Sequence, residues 1–350
     1  MALQPTFRRS VLAVVVFVTL CFGWWPFNFF TSNDVRYDQA EDALVFNEGV
    51  GAGDRSARGI AFCAETLDTT SWHGITLEIE LKAKSHARSG LAVFLEFFDG
   101  EDELPALLVS QWQDHLAIRS RRDRSAVSRG YSEIGHRDLF DGQSFKRLFL
   151  SSELNRTDLY VDGKLVESRR DFPLLGKDNK FIGRLLIGNS ADGTNPFIGE
   201  IRRVAVYDSF YADGTDSFAA AKPVLDFDMS RGLLPLSLSI PDQFELVKRE
   251  FFNSKRMEQL TTEEYTRDIV INTLGFIPVG ICFASMGRRR FRSSLRVFLF
   301  VGIASFSLSM MIEWGQGYLA HRDSSQLDVL LNTVSGTIAV LVPRRWILFL

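Results

Sequence analysis

The residues best suited to chemistry lie between two apolar runs near the C-terminus. The stretch MMIEWGQGYLAHRDSSQLDVLLNTVSG, Met310 to Gly336, holds Glu313, Gln316, Arg322, Asp323, Asp328 and Asn332. An ionisable group at membrane depth is costly and by default marks a functional site. Glu313 ends an apolar run rather than starting one, so the dipole of its own helix disfavours it. Gln316 follows on the same face, and Arg322 with Asp323 comes after a turn. Asp328 and Asn332 repeat a pattern found at Asp268 and Asn272, and a spacing of four puts both side chains on one helical face. Read as chemistry, carboxylates beside Arg322 suit a phosphate-bearing head group, and a buried Glu313 suits general acid–base work. Read as structure, Ser325 with Asp328 forms a capping box, the asparagines join helices, and Glu313 pairs with Arg322.

Helices must position these groups, and four apolar runs supply them. Ser10 to Phe30 is about the length of a spanning helix, and Trp24 and Trp25 suit an interfacial belt. A signal peptide is the alternative, but no small-x-small cleavage site follows. Ile269–Met286, Val297–Trp314 and the shorter Val329–Val342 follow at the far end. Arg8 and Arg9, the run GRRRFRSSLR, and Arg344 with Arg345 place both termini and the tight loop in the cytoplasm. Residues from about 31 to 267 then face outward.

That outward middle reads as strands. GITLEIELKAK and HLAIRSR alternate, and TDLYVDGKLVES is a hairpin whose Asp162-Gly163 supplies the two positive-φ positions of a tight turn. Regular short strands with little helix imply a jelly-roll β-sandwich. Asn189, Asp192 and Asn195 lie in a loop where a calcium ion or a glycan has room to bind, or where the same residues simply make turns. Ile240 to Asp268 is helical in composition, with Phe244, Val247 and Phe251 on one face, and Thr261 with Glu264 forms a capping box for the next helix.

Several classes are excluded. The formal net charge of −3, with no basic stripe, argues against nucleic-acid binding. Of the three cysteines, Cys21 and Cys282 lie in apolar runs, which leaves Cys63 without a disulfide partner in the polar middle. No Cys/His pair has metal-ligand spacing, and no nucleophile motif is present.

Two resemblances follow from quoted residues. LYVDGKLV and LLIGNSADGTNPFIGEIRRVAVYD resemble the end of a laminin-G-like, concanavalin A-like domain, over residues 35–232. DIVINTLGFIPVG and IEWGQGYLAHRDSSQLDVLLNTVSG are similar to the two signatures of the VanZ-like membrane protein family, with PFNF at the end of the first span. Glu313, Gln316, Arg322, Asp323, Asp328, Asn332 and Gly336 fall on positions of that second signature. The resemblance implies a multi-domain chain: an α-helical membrane domain of four transmembrane helices (residues 8–30 and 268–343), with an all-β jelly-roll sandwich inserted between the first and second. An amphipathic connector (240–267) joins the two. It further implies a multi-pass protein of the bacterial cytoplasmic membrane. Its expected partners are the lipid bilayer and a cell-wall glycan, exopolysaccharide or envelope protein, with a link to glycopeptide-antibiotic or envelope-stress tolerance. Calcium in the sandwich is the one cofactor left open. The alternative is a membrane enzyme acting on a lipid or lipid-linked cell-wall or polysaccharide precursor, though a non-enzymatic role is favoured.

Overall fold

The computed structural model describes residues 5–25, 27, 29, 31–47, 59–84, 87–100, 104–121, 131–170, 172–175, 180–213, 215–232, 234–249, 251–253, 263–319, 322 and 324–343. The chain forms two compact units, one of Phe30–Lys248 and one that combines Met1–Phe29 with Arg249–Leu350.

The first unit is a β-sandwich. Its early strands are β1 (Val35–Asp38), β2 (Ala43–Phe46), β3 (Ala61–Cys63), β4 (Leu67–Asp68), β5 (Ile75–Ala83) and β6 (Ala87–Phe98). Then come β7 (Leu107–Gln113), β8 (His115–Arg121), β9 (Tyr131–His136), β10 (Lys146–Glu153), β11 (Arg156–Val161) and β12 (Lys164–Arg170). The last are β13 (Ile182–Ile187), β14 (Gly199–Tyr207), β15 (Leu225–Asp228) and β16 (Leu238–Ser239). One sheet runs β1-β2-β14-β5-β10-β11-β12 with β15 on β14, and the other runs β16-β3-β13-β6-β7-β8-β9 with β4 on β13. Alternation fixes what each strand buries. Leu77, Ile79 and Leu81 of β5 face Phe94, Leu95 and Phe97 of β6 within one continuous core. Phe46, Phe197, Phe94 and Phe140 form a chain of tilted and edge-to-face rings through its centre, with centroids 5.7, 5.1 and 5.5 Å apart. The expected hairpin is present: Asp162 and Gly163 have φ of 48° and 78° between β11 and β12.

The outer face of the first sheet is also covered. The short helix α1 (Asp216–Ala219) lays Phe218 on Phe149 and Tyr207, with centroids 4.6 and 5.2 Å away. Below it the buried Glu78 accepts hydrogen bonds from Arg147 Nε (2.8 Å) and Tyr207 Oη (3.1 Å), and Arg147 also forks onto Asp213. Burial and the Glu78 charge push the Tyr207 hydroxyl up to about 12.

The second unit is helical. An N-terminal helix, αN, spans Pro5–Gly23; α2 spans Glu263–Arg290, α3 Ser294–Gln316 and α4 Gln326–Ile338, which a 3-10 turn extends through Ala339–Leu341. Three arginines, Arg288, Arg289 and Arg290, occupy the last turn of α2, where they suit the dipole. Arg288 reaches the carbonyls of Val340 and Val342 beyond α4. Helices α2 and α4 meet where neither has a side chain: a Cβ on Gly280 would stand 2.1 Å from the Gly336 carbonyl oxygen. Among the described residues one helix, Ser294–Gln316 with mean hydropathy 2.0, is long and apolar enough to cross a membrane. Ser10–Gly23 and Gln326–Leu341 are shorter apolar helices.

Two expectations change. Helix αN ends at Gly23 rather than running to Phe30, because the chain turns at Trp24 and Phe27 adopts φ 64°. The amphipathic helix expected over 240–267 does not form across 240–249 or 251–253. The backbone is spent elsewhere: Phe244 N–H donates to Thr31 O and Lys248 N–H to Ala191 O. The second part, residues 254–262 with Thr261, lies outside the described residues.

The Gly280 contact yields a contrast between two glycines of α2. Gly280→Ala is expected to destabilise the helical unit by at least about 2 kcal/mol through overpacking. Gly275→Ala, where a Cβ meets nothing within 4 Å, is expected to be neutral or slightly stabilising. Thermal unfolding of the detergent-solubilised chain checks both.

Candidate functional site

Helix α3 carries Ser305, Ser309 and Glu313 at intervals of four, so all three lie on one face. That face meets α4 in a polar seam. Ser305 abuts Gly336, whose added Cβ would lie 2.3 Å from Ser305 Oγ. One turn on, Asn332 Nδ2 donates to Ser309 Oγ at 3.0 Å. At the end of the seam Glu313 Oε2 accepts the Ser325 N–H at 2.7 Å. Glu313 and Asn332 are each 2% exposed and both serines are fully buried.

The seam answers the electrostatic objection to Glu313. The carboxylate closes α3, where a helix dipole opposes it, but it lies at the N-terminus of α4, where the dipole supports it and an N–H is otherwise orphaned. Ser325 holds the N-cap position of α4 but makes no side-chain capping bond. The expected capping box is therefore replaced by Glu313 acting across the turn. Ser325 is held in its own way: residues 324–326 pair with a strap at 252–253, through Asn253 N–H to Ser324 O (2.7 Å) and Gln326 N–H to Asn253 O (3.2 Å). Phe252 N–H adds a bond to Ser324 Oγ at 3.0 Å, and Phe252 itself has φ 54°.

The remaining polar residues serve other partners. Gln316 Nε2 donates to the Gly23 carbonyl at 2.9 Å, and Arg322 forks onto the Trp25 carbonyl through Nε (3.1 Å) and Nη2 (2.8 Å). Both tie the C-terminal end of αN, whose last carbonyls have no partner within their helix. Asp328 sits half-buried in the first turn of α4 and Asn272 half-buried in α2. Asp323 and the Asp268 side chain lie outside the described residues. So Glu313 and Asn332 share the seam, while Gln316 and Arg322 bind αN. Sequence reasoning passed over Ser305 and Ser309, and took Ser325 as a cap with Asp328 rather than as the partner of Glu313. The signal was there in the interval of four from Glu313 back through two serines. Three buried atoms of the seam, Ser305 Oγ, Ser325 Oγ and Asn332 Oδ1, have no hydrogen-bond partner among the described residues.

In the β unit, the loop of Asn189, Asp192 and Asn195 is bound to itself. Asn189 Oδ1 accepts the Ser190 N–H (2.9 Å), and Asp192 Oδ1 accepts from Ser190 Oγ, Thr194 N and Thr194 Oγ1 (2.6, 3.0 and 2.8 Å). Asn195 Nδ2 donates to Ser190 Oγ and Thr194 Oγ1. These are turn-making bonds of the Asx kind. Among the described residues no group of three or more His, Cys, Asp or Glu is placed to hold a metal ion. Beneath the loop Glu96, 4% exposed, accepts the Ala191 N–H at 3.2 Å. Burial pushes its carboxyl up to about 8, with the Asp192 charge adding and Lys248 opposing.

Helix α3, the seam and α4 all fall inside one region that matches a family model. Residues 226–348 match the VanZ-LLP1 family model, described as VanZ/LLP1. This VanZ-like region takes in the last strands of the sandwich and leaves out αN. No curated protein matches the chain. Solved structures resembling it include a CBM40 of a Ruminococcus gnavus IT-sialidase bound to alpha2,3 sialyllactose, at 15% identity over 41% of this chain and 79% of that one, TM-score 0.34. Others are a heptameric SAP-like pentraxin from Limulus polyphemus (12% identity, 48% and 76% covered, TM-score 0.36) and a Bacteroides ovatus putative carbohydrate binding protein (12%, 48% and 49%, TM-score 0.34). At such scores and identities these likenesses transfer no ligand to this chain.

Two outcomes are expected. In the VanZ-like region, Glu313→Ala strands the buried Ser325 N–H and should cost about 1–3 kcal/mol, whereas Glu313→Gln keeps an acceptor and should cost less than half of that. Thermal unfolding in detergent separates them. In the β unit, the Glu96 carboxyl holds its proton to about 8 when folded, against 4.5 for an ordinary glutamate. Between those values the unfolded chain binds fewer protons than the folded one, so stability falls as pH rises through that window, by up to about 5 kcal/mol, and levels off above it. Urea unfolding from pH 4 to 9 should show that slope in the wild type and lose it in Glu96→Gln.

Proposed function

We propose that this chain is a multi-pass protein of a bacterial cytoplasmic membrane. In this reading αN, α2, α3 and α4 with its extension cross the bilayer, both termini are cytoplasmic, and residues 31–267 face outward. The VanZ-like match over 226–348 carries the reading, and the surface chemistry of the helical unit supports it. Leu295, Phe298, Leu299, Ile303 and Phe306 of α3 are about half exposed or more, an apolar face that water would penalise and lipid would not. At one end Trp25, Phe251, Trp314 and Tyr318 are exposed, with Phe251 and Trp314 each 5.4 Å from the Tyr318 ring. Such a collar suits a membrane–water interface. At the other end stand Arg288, Arg289, Arg290, Arg292 and Arg296, the side that stays in the cytoplasm.

The β unit is then a binding module presented to the envelope, with a glycan or a protein as its partner. The polar seam of α3 and α4 is the site by which the VanZ-like region acts, at the outward edge of the bilayer. The family likeness extends the reading to tolerance of envelope stress, glycopeptide antibiotics included.

Accessibility tests the topology. Lys164 and Arg289 are both exposed. In intact spheroplasts an impermeant maleimide should label Lys164→Cys directly and Arg289→Cys only after permeabilisation. Labelling of Arg289→Cys in intact cells, with Lys164→Cys protected, would reverse the orientation and overturn the reading.

A further inference from the structure

The turn that joins α2 to α3, RRRFRSSLR in sequence, carries charge of one kind only. Arg288, Arg289, Arg290, Arg292 and Arg296 fall within nine residues, and no acidic residue lies between Asp268 and Glu313. Orientation in a membrane does not choose between lysine and arginine, because both count toward the inside charge. Yet every lysine or arginine beyond Lys255 is an arginine, while the chain before it uses both. What arginine adds is a planar fork that donates twice to one phosphate or carboxylate. The dipole of α3 does not offset the cluster. Its positive end is here, its first turn holds no acid, and Ser293 at the N-cap makes no side-chain bond.

The five arginines are not equivalent. Arg288 is committed to the carbonyls of Val340 and Val342. Arg289, Arg290, Arg292 and Arg296 are exposed, while Phe291 among them packs inward, its ring 5.7 Å from that of Phe300. Arg296 also heads a stripe of α3. Leu299, Ile303 and Phe306 follow it at intervals of three, seven and ten residues, on one helical face, and are 51%, 66% and 47% exposed. Ten helical residues rise about 15 Å. That is the depth of one leaflet in a hydrocarbon core of about 30 Å.

We propose that this turn binds the phosphate of an anionic glycerophospholipid of the cytoplasmic leaflet, with Arg292 and Arg296 on the phosphate and an acyl chain along Leu299, Ile303 and Phe306. The inference rests on the membrane reading of the helical unit and gives that unit a ligand. The apolar stripe selects a lipid over free phosphate, which would use the arginines and leave the stripe bare. A positive field with no acid beside it selects an anionic head group over a zwitterionic one, whose own cation it repels.

Native mass spectrometry of the full chain in detergent, given phosphatidylglycerol and phosphatidylcholine in equal amounts, tests the proposal. The wild type is expected to retain phosphatidylglycerol in preference. Arg292→Gln with Arg296→Gln is expected to cut that preference about tenfold or more. Arg292→Lys with Arg296→Lys keeps the charge without the fork, and is expected to lose about half of the preference or more. Lys164→Gln, on the β unit, should leave it unchanged, with thermal unfolding alike in all. Inorganic phosphate in large excess should leave the lipid bound. Equal retention of the two lipids, a glutamine or lysine pair that binds as the wild type does, or displacement by inorganic phosphate would each overturn the proposal. None of these readings depends on orientation, which the labelling of Arg289→Cys decides, so the lipid site and the topology fail separately.

Discussion

A carboxylate buried at the end of an apolar helix must find donors, take up a proton or be expelled, and Glu313 finds donors across a turn. Its own helix offers only carbonyls at that end. The first N–H groups of the next helix are the nearest uncommitted donors, so α3 and α4 must fold back with the start of one against the end of the other. Once Ser325 is fixed on Glu313, the register of α4 follows. Asn332 comes to Ser309 one turn inward, and Gly336 reaches Ser305 and Gly280, where only glycine admits the close approach. One hydrogen bond at the mouth of the hairpin therefore sets three helices. Gln316 and Arg322 extend the same logic to αN by occupying carbonyls at its end.

The β unit solves the opposite problem. Its core is aliphatic and aromatic, and on one sheet face Glu78, Arg147, Asp213 and Tyr207 satisfy one another beneath α1. Glu96 is met differently: burial beneath a loop pushes its carboxyl up to about 8.

Period-two patterning made the sandwich legible: β5 and β8 alternate in sequence as they do in space, and Asp162-Gly163 makes the turn its chemistry demands. The VanZ-like signatures likewise pointed to the region that the family model matches. Other features were hidden for physical reasons. Phe244, Val247 and Phe251 have helical spacing, but nothing in that spacing reveals that Thr31 and Ala191 take up the backbone of their segment. Ser325 and Asp328 have the spacing of a capping box, yet the cap comes from Glu313, twelve residues before Ser325. Asn189, Asp192 and Asn195 look like ligands in sequence because turn residues and ligand residues are the same types; their bonds to Ser190 and Thr194 are visible only in three dimensions.

Amide exchange at Ser325, measured on the full chain in lipid nanodiscs, tests the organising role of Glu313 most directly. The predicted result is protection of at least about 100-fold over an unstructured amide, kept in Glu313→Gln and lost in Glu313→Ala together with protection along α4. A Ser325 amide that exchanges as fast as open chain in the wild type, or one whose protection survives Glu313→Ala unchanged, would contradict the account.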